Sequence, residues 1–138
     1  MRIRELQQKV ADALNALDEF MQGGCMAFAE DARDVYDRAS KWVSGGRVAV
    51  VVVTPEMTRN GDAADALPAE TQLLIQCSEK PALARAQPGV MTALGAAERV
   101  MHALDGREFC WLSTRQTIDR QSGVLTATVT FATTIHLS

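Results

Sequence analysis

Apolar residues early in the chain recur at spacings of three and four: Ile3, Leu6, Val10, Leu14, Leu17 and Met21. Arg4, Gln7, Gln8, Asp12 and Asn15 fall between them. This pattern lays one apolar stripe along a helix and predicts a helix over 2–21. "QGG", 22–24, stops it, because glycine readily takes the left-handed backbone of a helix end. "CMAFA", 25–29, fits either a short strand or the lead into the next helix. Residues 30–43 carry a second helical stripe, Ala32, Val35, Ala39, Trp42 and Val43, with Glu30 and Asp31 at its positive end. "SGG", 44–46, closes it.

The period then changes. "RVAVVVVTP", from Arg47, is apolar on both alternating registers, which suits a strand buried on both faces near the middle of a sheet. Residues 55–70 contain two prolines and an Asn-Gly pair and read as a long polar loop, a length associated with function or mobility. "TQLLIQCSE", 71–79, reads as the next strand. A third helix is expected over 88–104, with Pro88 in its first turn and Val90, Leu94, Ala97, Met101 and Leu104 as its stripe. "DG", 105–106, ends it. Residues 107–119 read as a strand, "RQSG" turns the chain, and "GVLTATVTFATTIHLS" returns. In that last run Leu125, Ala127, Val129, Phe131, Ile135 and Leu137 share one register. Thr126, Thr128, Thr130, Ala132, Thr134 and His136 share the other. The two final strands form a long antiparallel hairpin.

This order predicts an α+β fold: a two-layer sandwich in which two or three helices cover one face of a mainly antiparallel sheet of four or five strands. Nothing divides residues 1–138, so one domain is expected. The chain is 47% hydrophobic and 22% charged, as globular proteins are. Aromatics are only 5%, so the core must rest on Val, Leu, Ala, Met and Ile. A net charge of −3 gives no global attraction to nucleic acid. The opening "MRIRELQQKV" lacks the apolar run of a signal peptide, and "VAVVVV", 48–53, is far too short to span a bilayer. Cys25, Cys77 and Cys110 are odd in number, far apart and outside metal-ligand spacing. They are expected to be reduced and buried, as in a cytoplasmic protein.

Candidate chemistry is sparse. "QGGC" and "SGGR" follow helices, whereas a phosphate loop follows a strand and opens a helix. His102 lies near Glu98 and Asp105 by helical spacing, a pattern that an exposed helix face explains. Cys110 has no base or cation at strand spacing to activate it, and packing is its better account. Asp62 and Asp65 lack the regular oxygen spacing of a calcium loop. Arg2, Arg4, Arg33, Arg38, Arg115 and Arg120 are scattered without interleaved aromatics. No catalytic, cofactor-binding or metal-binding residue is therefore assigned, and no enzyme activity is expected. The competing possibilities are a small α+β enzyme or ligand-binding domain, built around His102, Cys110 or the long loop, and a regulatory interaction module. The positive signal is the hairpin. Its threonine register is polar enough to stay soluble and flat enough to pack on another subunit, or it is the solvated side of a sheet.

In "IRELQQKVADALNAL", "RVAVVVV", "GVMTALGAAERVMHALDG" and the closing hairpin, taken in that order, the chain resembles the tail terminator proteins of long-tailed bacteriophages, lambda-type and Mu-like. The second helix departs from that family's layout. The resemblance implies a helix-covered sheet, a homo-oligomer forming a hexameric ring, and a place in the virion at the head-proximal end of the tail. Its implied partners are further copies of itself, the tail tube protein and a head-tail connector protein. Arginines facing a lumen would contact DNA phosphates without reading sequence. A membrane is not implied. Met57, Arg59 and Leu67 in the 55–70 segment are the candidate anchors for tube or neighbour, and Arg115, Thr126, Thr128 and Thr130 mark the candidate subunit edge.

Overall fold

The computed structural model describes residues 2–30, 34–59, 67–84 and 89–137. Among these residues five strands form one sheet: β1 (Cys25–Ala29), β2 (Val48–Arg59), β3 (Leu67–Glu79), β4 (Cys110–Asp119) and β5 (Val124–Leu137). Their spatial order is β1-β2-β3-β5-β4. Among the described residues the helices are α1 (Ile3–Asn15), α2 (Asp18–Gln22), α3 (Val35–Ser44), α4 (Pro81–Ala84) and α5 (Ala93–Leu104). The chain has the α+β fold that its periodicity predicts.

β2 is the axis of the sheet. Its alternating β-branched residues feed two cores. Val48, Val50 and Val52 join Leu6, Val10 and Leu14 of α1, Ala96, Ala97 and Val100 of α5, and Ala127, Val129 and Phe131 of β5. Ala49, Val51 and Val53 join Phe28 and, from α3, Val35, Ala39 and Val43 on the opposite face. Helices thus cover one face over β1, β2, β3 and β5, and α3 adds a layer on the other face over β1 and β2. "CMAFA" resolves as β1, which pairs in parallel with β2 from Cys25↔Val48 to Ala29↔Val52. A parallel pair needs a crossover, and α3 supplies it. The strand pairs β2–β3, β3–β5 and β4–β5 are antiparallel.

Several boundaries differ from the sequence reading. The first helix is interrupted at Leu17, whose backbone is extended (φ −72°, ψ 130°), and α2 restarts with Asp18 and Glu19 in its first turn. Met21 is 65% exposed, so the inward residue of α2 is Phe20. Gln7 and Asn15, polar positions on the helical pattern, point inward. Gln7 is buried and its amide donates to Glu30 Oε1 (3.1 Å) and Thr54 Oγ1 (2.7 Å). Glu30 is therefore not the start of the second helix. Its N–H continues the β1–β2 ladder to the Val52 carbonyl at 2.9 Å, and α3 opens at Val35. Asp31 lies outside the described residues.

The 55–70 segment is mostly strand. β2 continues to Arg59 and β3 starts at Leu67, with Met57↔Thr71 and Arg59↔Ala69 in register. The register slips between Val53 and Glu56, so Pro55 falls at a bulge, where a central strand tolerates a missing donor. Residues 60–66, including Asp62 and Asp65, lie outside the described residues.

α5 starts at Ala93, later than expected, with Thr92 Oγ1 accepting the Gly95 N–H at 2.9 Å as N-cap; Pro88 lies outside the described residues. Its buried stripe is Ala93, Ala96, Ala97 and Val100, while Leu94 is 40% exposed. Alanines at the contact let the helix lie close to the sheet, and the larger side chains fall to its margins. The hairpin closes as expected: the four-residue "RQSG" loop joins Asp119 to Val124, and Gly123 takes a positive φ of 72°.

Candidate functional site

The two edges of the sheet are treated differently by the sequence. At the β1 edge, Asn15 projects from the end of α1 and satisfies one residue of the outer backbone twice. Its Nδ2 donates to the Ala27 carbonyl (2.9 Å) and its Oδ1 accepts the Ala27 N–H (2.8 Å). Trp42 Nε1 donates to the Gly24 carbonyl just before the strand. These contacts close the edge to another strand.

The β4 edge is open. All but one of its residues are exposed, and Thr114 is half-buried. Its start is anchored: Asp105 Oδ1 accepts the Trp111 N–H (3.1 Å), and Trp111 Nε1 donates to Thr114 Oγ1 (3.0 Å). The register slips between Trp111, opposite Phe131, and Ser113, opposite Thr130, which leaves Leu112 as the extra residue of a bulge. Trp111, Leu112 and Ile118 are 41%, 52% and 59% exposed. Large apolar side chains on an uncovered edge strand are a hazard in a monomer and an asset in an interface.

The predicted hairpin residues occupy neighbouring but distinct places. Arg115 stands on the edge strand itself. Thr126, Thr128 and Thr130 lie one strand inward on β5, opposite Thr117, Arg115 and Ser113 on one side and Ser78, Gln76 and Leu74 on the other. The threonines are thus a half-buried face, not the edge. Thr126 Oγ1 and Ser78 Oγ share a hydrogen bond at 2.9 Å. Met57, Arg59 and Leu67 belong to the far end of the sheet, where Leu67 pairs with Leu137; for these three the structure describes the backbone alone. The sequence reading missed Trp111, Leu112 and Ile118. The available signal was the adjacent Trp-Leu pair, which breaks the alternation of a strand and marks a bulge.

On the threonine face, α3 stands off β3 and β5 and leaves an open groove of about 210 Å³. Tyr36, Ala39, Ser40 and Val43 of α3 form one wall, Ala49 and Val51 the floor, and Gln76, Ser78, Lys80 and Val124 the other wall. The groove is smaller than the ~300–1,000 Å³ common for small-molecule sites. Its titratable lining groups are Tyr36 and Lys80.

The residues weighed for catalysis do not converge on this groove. His102, Glu98 and Asp105 are exposed around α5, away from the groove walls. Among the described residues no group of three or more His, Cys, Asp and Glu is placed to hold a metal ion, and no helix is long and apolar enough to cross a membrane. The cysteines are free. Cys25 and Cys77 are buried as expected, but Cys110 is exposed, because β4 is the edge strand. Packing does not explain it.

Burial, and then the charge of Glu79, push the Cys25 thiol up to about 12. Burial, and then Cys25, raise Cys77 as well. Both remain neutral thiols at neutral pH. Their contribution to stability is full below the ordinary thiol value of 9.0 and falls as pH rises from there, because the unfolded chain ionises first. A thiol reagent at neutral pH is expected to label Cys110 alone in the folded protein and all three cysteines after denaturation. Rapid native labelling of Cys25 or Cys77 would contradict this packing.

No family model matches the chain, and no curated protein matches it. Among solved structures it is similar to a chain of the virion of a native gene transfer agent particle, at 15% identity and a TM-score of 0.63. The alignment covers 96% of this chain and 95% of that one. At that identity the likeness establishes the fold: the sheet and its helices, taken end to end, form an arrangement already seen in another protein.

Proposed function

We propose that this protein is a structural component of a phage-like particle. It assembles as a hexameric ring on the head-proximal end of the tail tube, stops tube growth and forms the joint to the head connector. The observation that carries this reading is the end-to-end fold likeness to a chain of a gene transfer agent virion. The surface agrees with a part that works by contact: one sheet edge is closed by Asn15, and the other presents exposed apolar side chains. The protein acts without turnover. One face of the ring matches the last ring of the tube, and the other does not repeat that match, so polymerisation ends. Arginines such as Arg115 and Arg120, both exposed, would meet DNA phosphates wherever the ring turns them to its lumen.

The test adds the protein to polymerising tail tube protein. Tubes should stop and carry a cap at one end. Thr128→Lys should abolish capping while costing the fold less than about 1 kcal/mol, since it sets one more positive charge opposite Arg115 on a half-exposed face. Thermal melting checks the fold and electron microscopy the caps. Unchanged capping by this variant would remove the threonine face from the interface. Tubes that grow on regardless of the wild-type protein would remove the reading itself.

A further inference from the structure

We propose that two copies of this chain pair along β4, antiparallel and about a two-fold axis at Thr117. The proposal goes beyond the assembly reading above. A two-fold contact closes at two copies and builds no ring, so it belongs to the free protein. Among the described residues the sheet has two edges, β1 and β4. Asn15 and Trp42 occupy backbone groups at β1, so strand pairing between copies is left to β4 with β4. The bulge at Leu112 interrupts the β4 ladder at one end, and the turn after Asp119 stops it at the other. The run between them, 113–119, is paired on one side only, and its outward backbone groups have no strand to meet.

The charges of that run select the second copy and the register. It carries one cation, Arg115, and one anion, Asp119. They share a face, as strand residues an even number apart do. Among the described residues neither has an ion-pair partner. Asp119 Oδ1 accepts the Gln121 N–H (3.0 Å), which holds the carboxylate at the strand end and leaves Oδ2 for a second partner. With the axis at Thr117, Arg115 of each copy lies opposite Asp119 of the other, and both ion pairs form. Ile118, 59% exposed, then lies diagonal to Ile118 of the second copy. An axis at Arg115 sets two guanidinium groups against each other. An axis at Gln116 leaves Arg115 facing Thr117 and forms no direct ion pair. Parallel pairing in register sets each charge against its like. Asp105, Arg107 and Glu108 precede the bulge, and Glu108 is 3.7 Å from Lys9 Nζ. Arg120 falls in the turn, beyond the strand.

Thr117→Cys combined with Cys110→Ser provides the probe, both at exposed positions. Directly opposed residues of an antiparallel pair have Cα atoms about 4.5–5.5 Å apart, within reach of a disulfide. Mild oxidation should give a covalent dimer linked at position 117 and nothing larger. In analytical ultracentrifugation, Arg115→Glu and Asp119→Arg should each weaken the dimer at least about tenfold, because each sets like charges opposite one another twice. Mixing the two variants should restore it, since each copy then supplies the charge that the other lacks. A turn damaged by losing Asp119 would not be repaired in this way, and thermal melting checks both folds. A wild type that is monomeric at every concentration, a dimer indifferent to Arg115→Glu, or no rescue between two folded variants would overturn the pairing. Capping of tubes by a protein without this dimer would leave the assembly reading standing. The dimer with its rescue, but without capping, would uphold the pairing and remove that reading.

Discussion

Phe131→Ala is expected to destabilise the protein by about 3–5 kcal/mol, the usual cost of emptying a buried aromatic site. Phe131 is fully buried in the strand that joins β3 to the edge. It lies opposite Leu73 on one side and Trp111 on the other. Its ring meets Phe109 edge-on, with centroids 6.5 Å apart. Few other aromatics are available to fill the gap, since most of this core consists of valine, alanine and leucine. Domains of this kind have a total stability of about 5–15 kcal/mol, so the variant should sit near its folding threshold. Denaturant titration at a concentration that keeps the protein dissociated gives the value free of mass-action effects. A loss below about 1 kcal/mol would mean that the helices do not seal this face as described.

Asn15→Ala is the second large effect, expected at about 2–4 kcal/mol, because it strands two buried backbone groups at once, each worth about 1–3 kcal/mol when left unpaired. Ala27 is 5% exposed, and its N–H and carbonyl both depend on the Asn15 amide. Asn15→Asp should recover little. A carboxylate accepts the N–H but repels the carbonyl that the amide donates to. The variant should also aggregate on heating, because it opens the β1 edge to another strand. Equal stability of Asn15→Ala and wild type in denaturant titration would show that the edge is closed by something else.

The sequence was informative where one physical requirement dominated. The six-residue apolar run of β2 had to be central, because only a strand covered on both faces tolerates it. The alternating β5 pattern fixed the face that carries Val129 and Phe131 into the core. Features that depend on long-range contacts were illegible. Gln7 and Asn15 looked like solvent positions because helical spacing cannot tell that a polar side chain has a buried partner on another element. The 55–70 segment looked like a loop because prolines outweighed pattern, and only the strand register shows that Pro55 falls at a bulge. The threonines were taken for an edge because a hairpin has two strands and the sequence does not say which lies outside. The spatial order puts β4 there, and with it Arg115, Leu112 and the exposed Cys110.

Assembly is read most directly from the size and position of the wild-type protein. Analytical ultracentrifugation across a concentration series, followed by labelled electron microscopy of particles formed with their tail components, reads both. One discrete closed oligomer is expected, with label confined to the head-proximal end of the tail. A protein that stays monomeric at every concentration and is absent from the particles would contradict it.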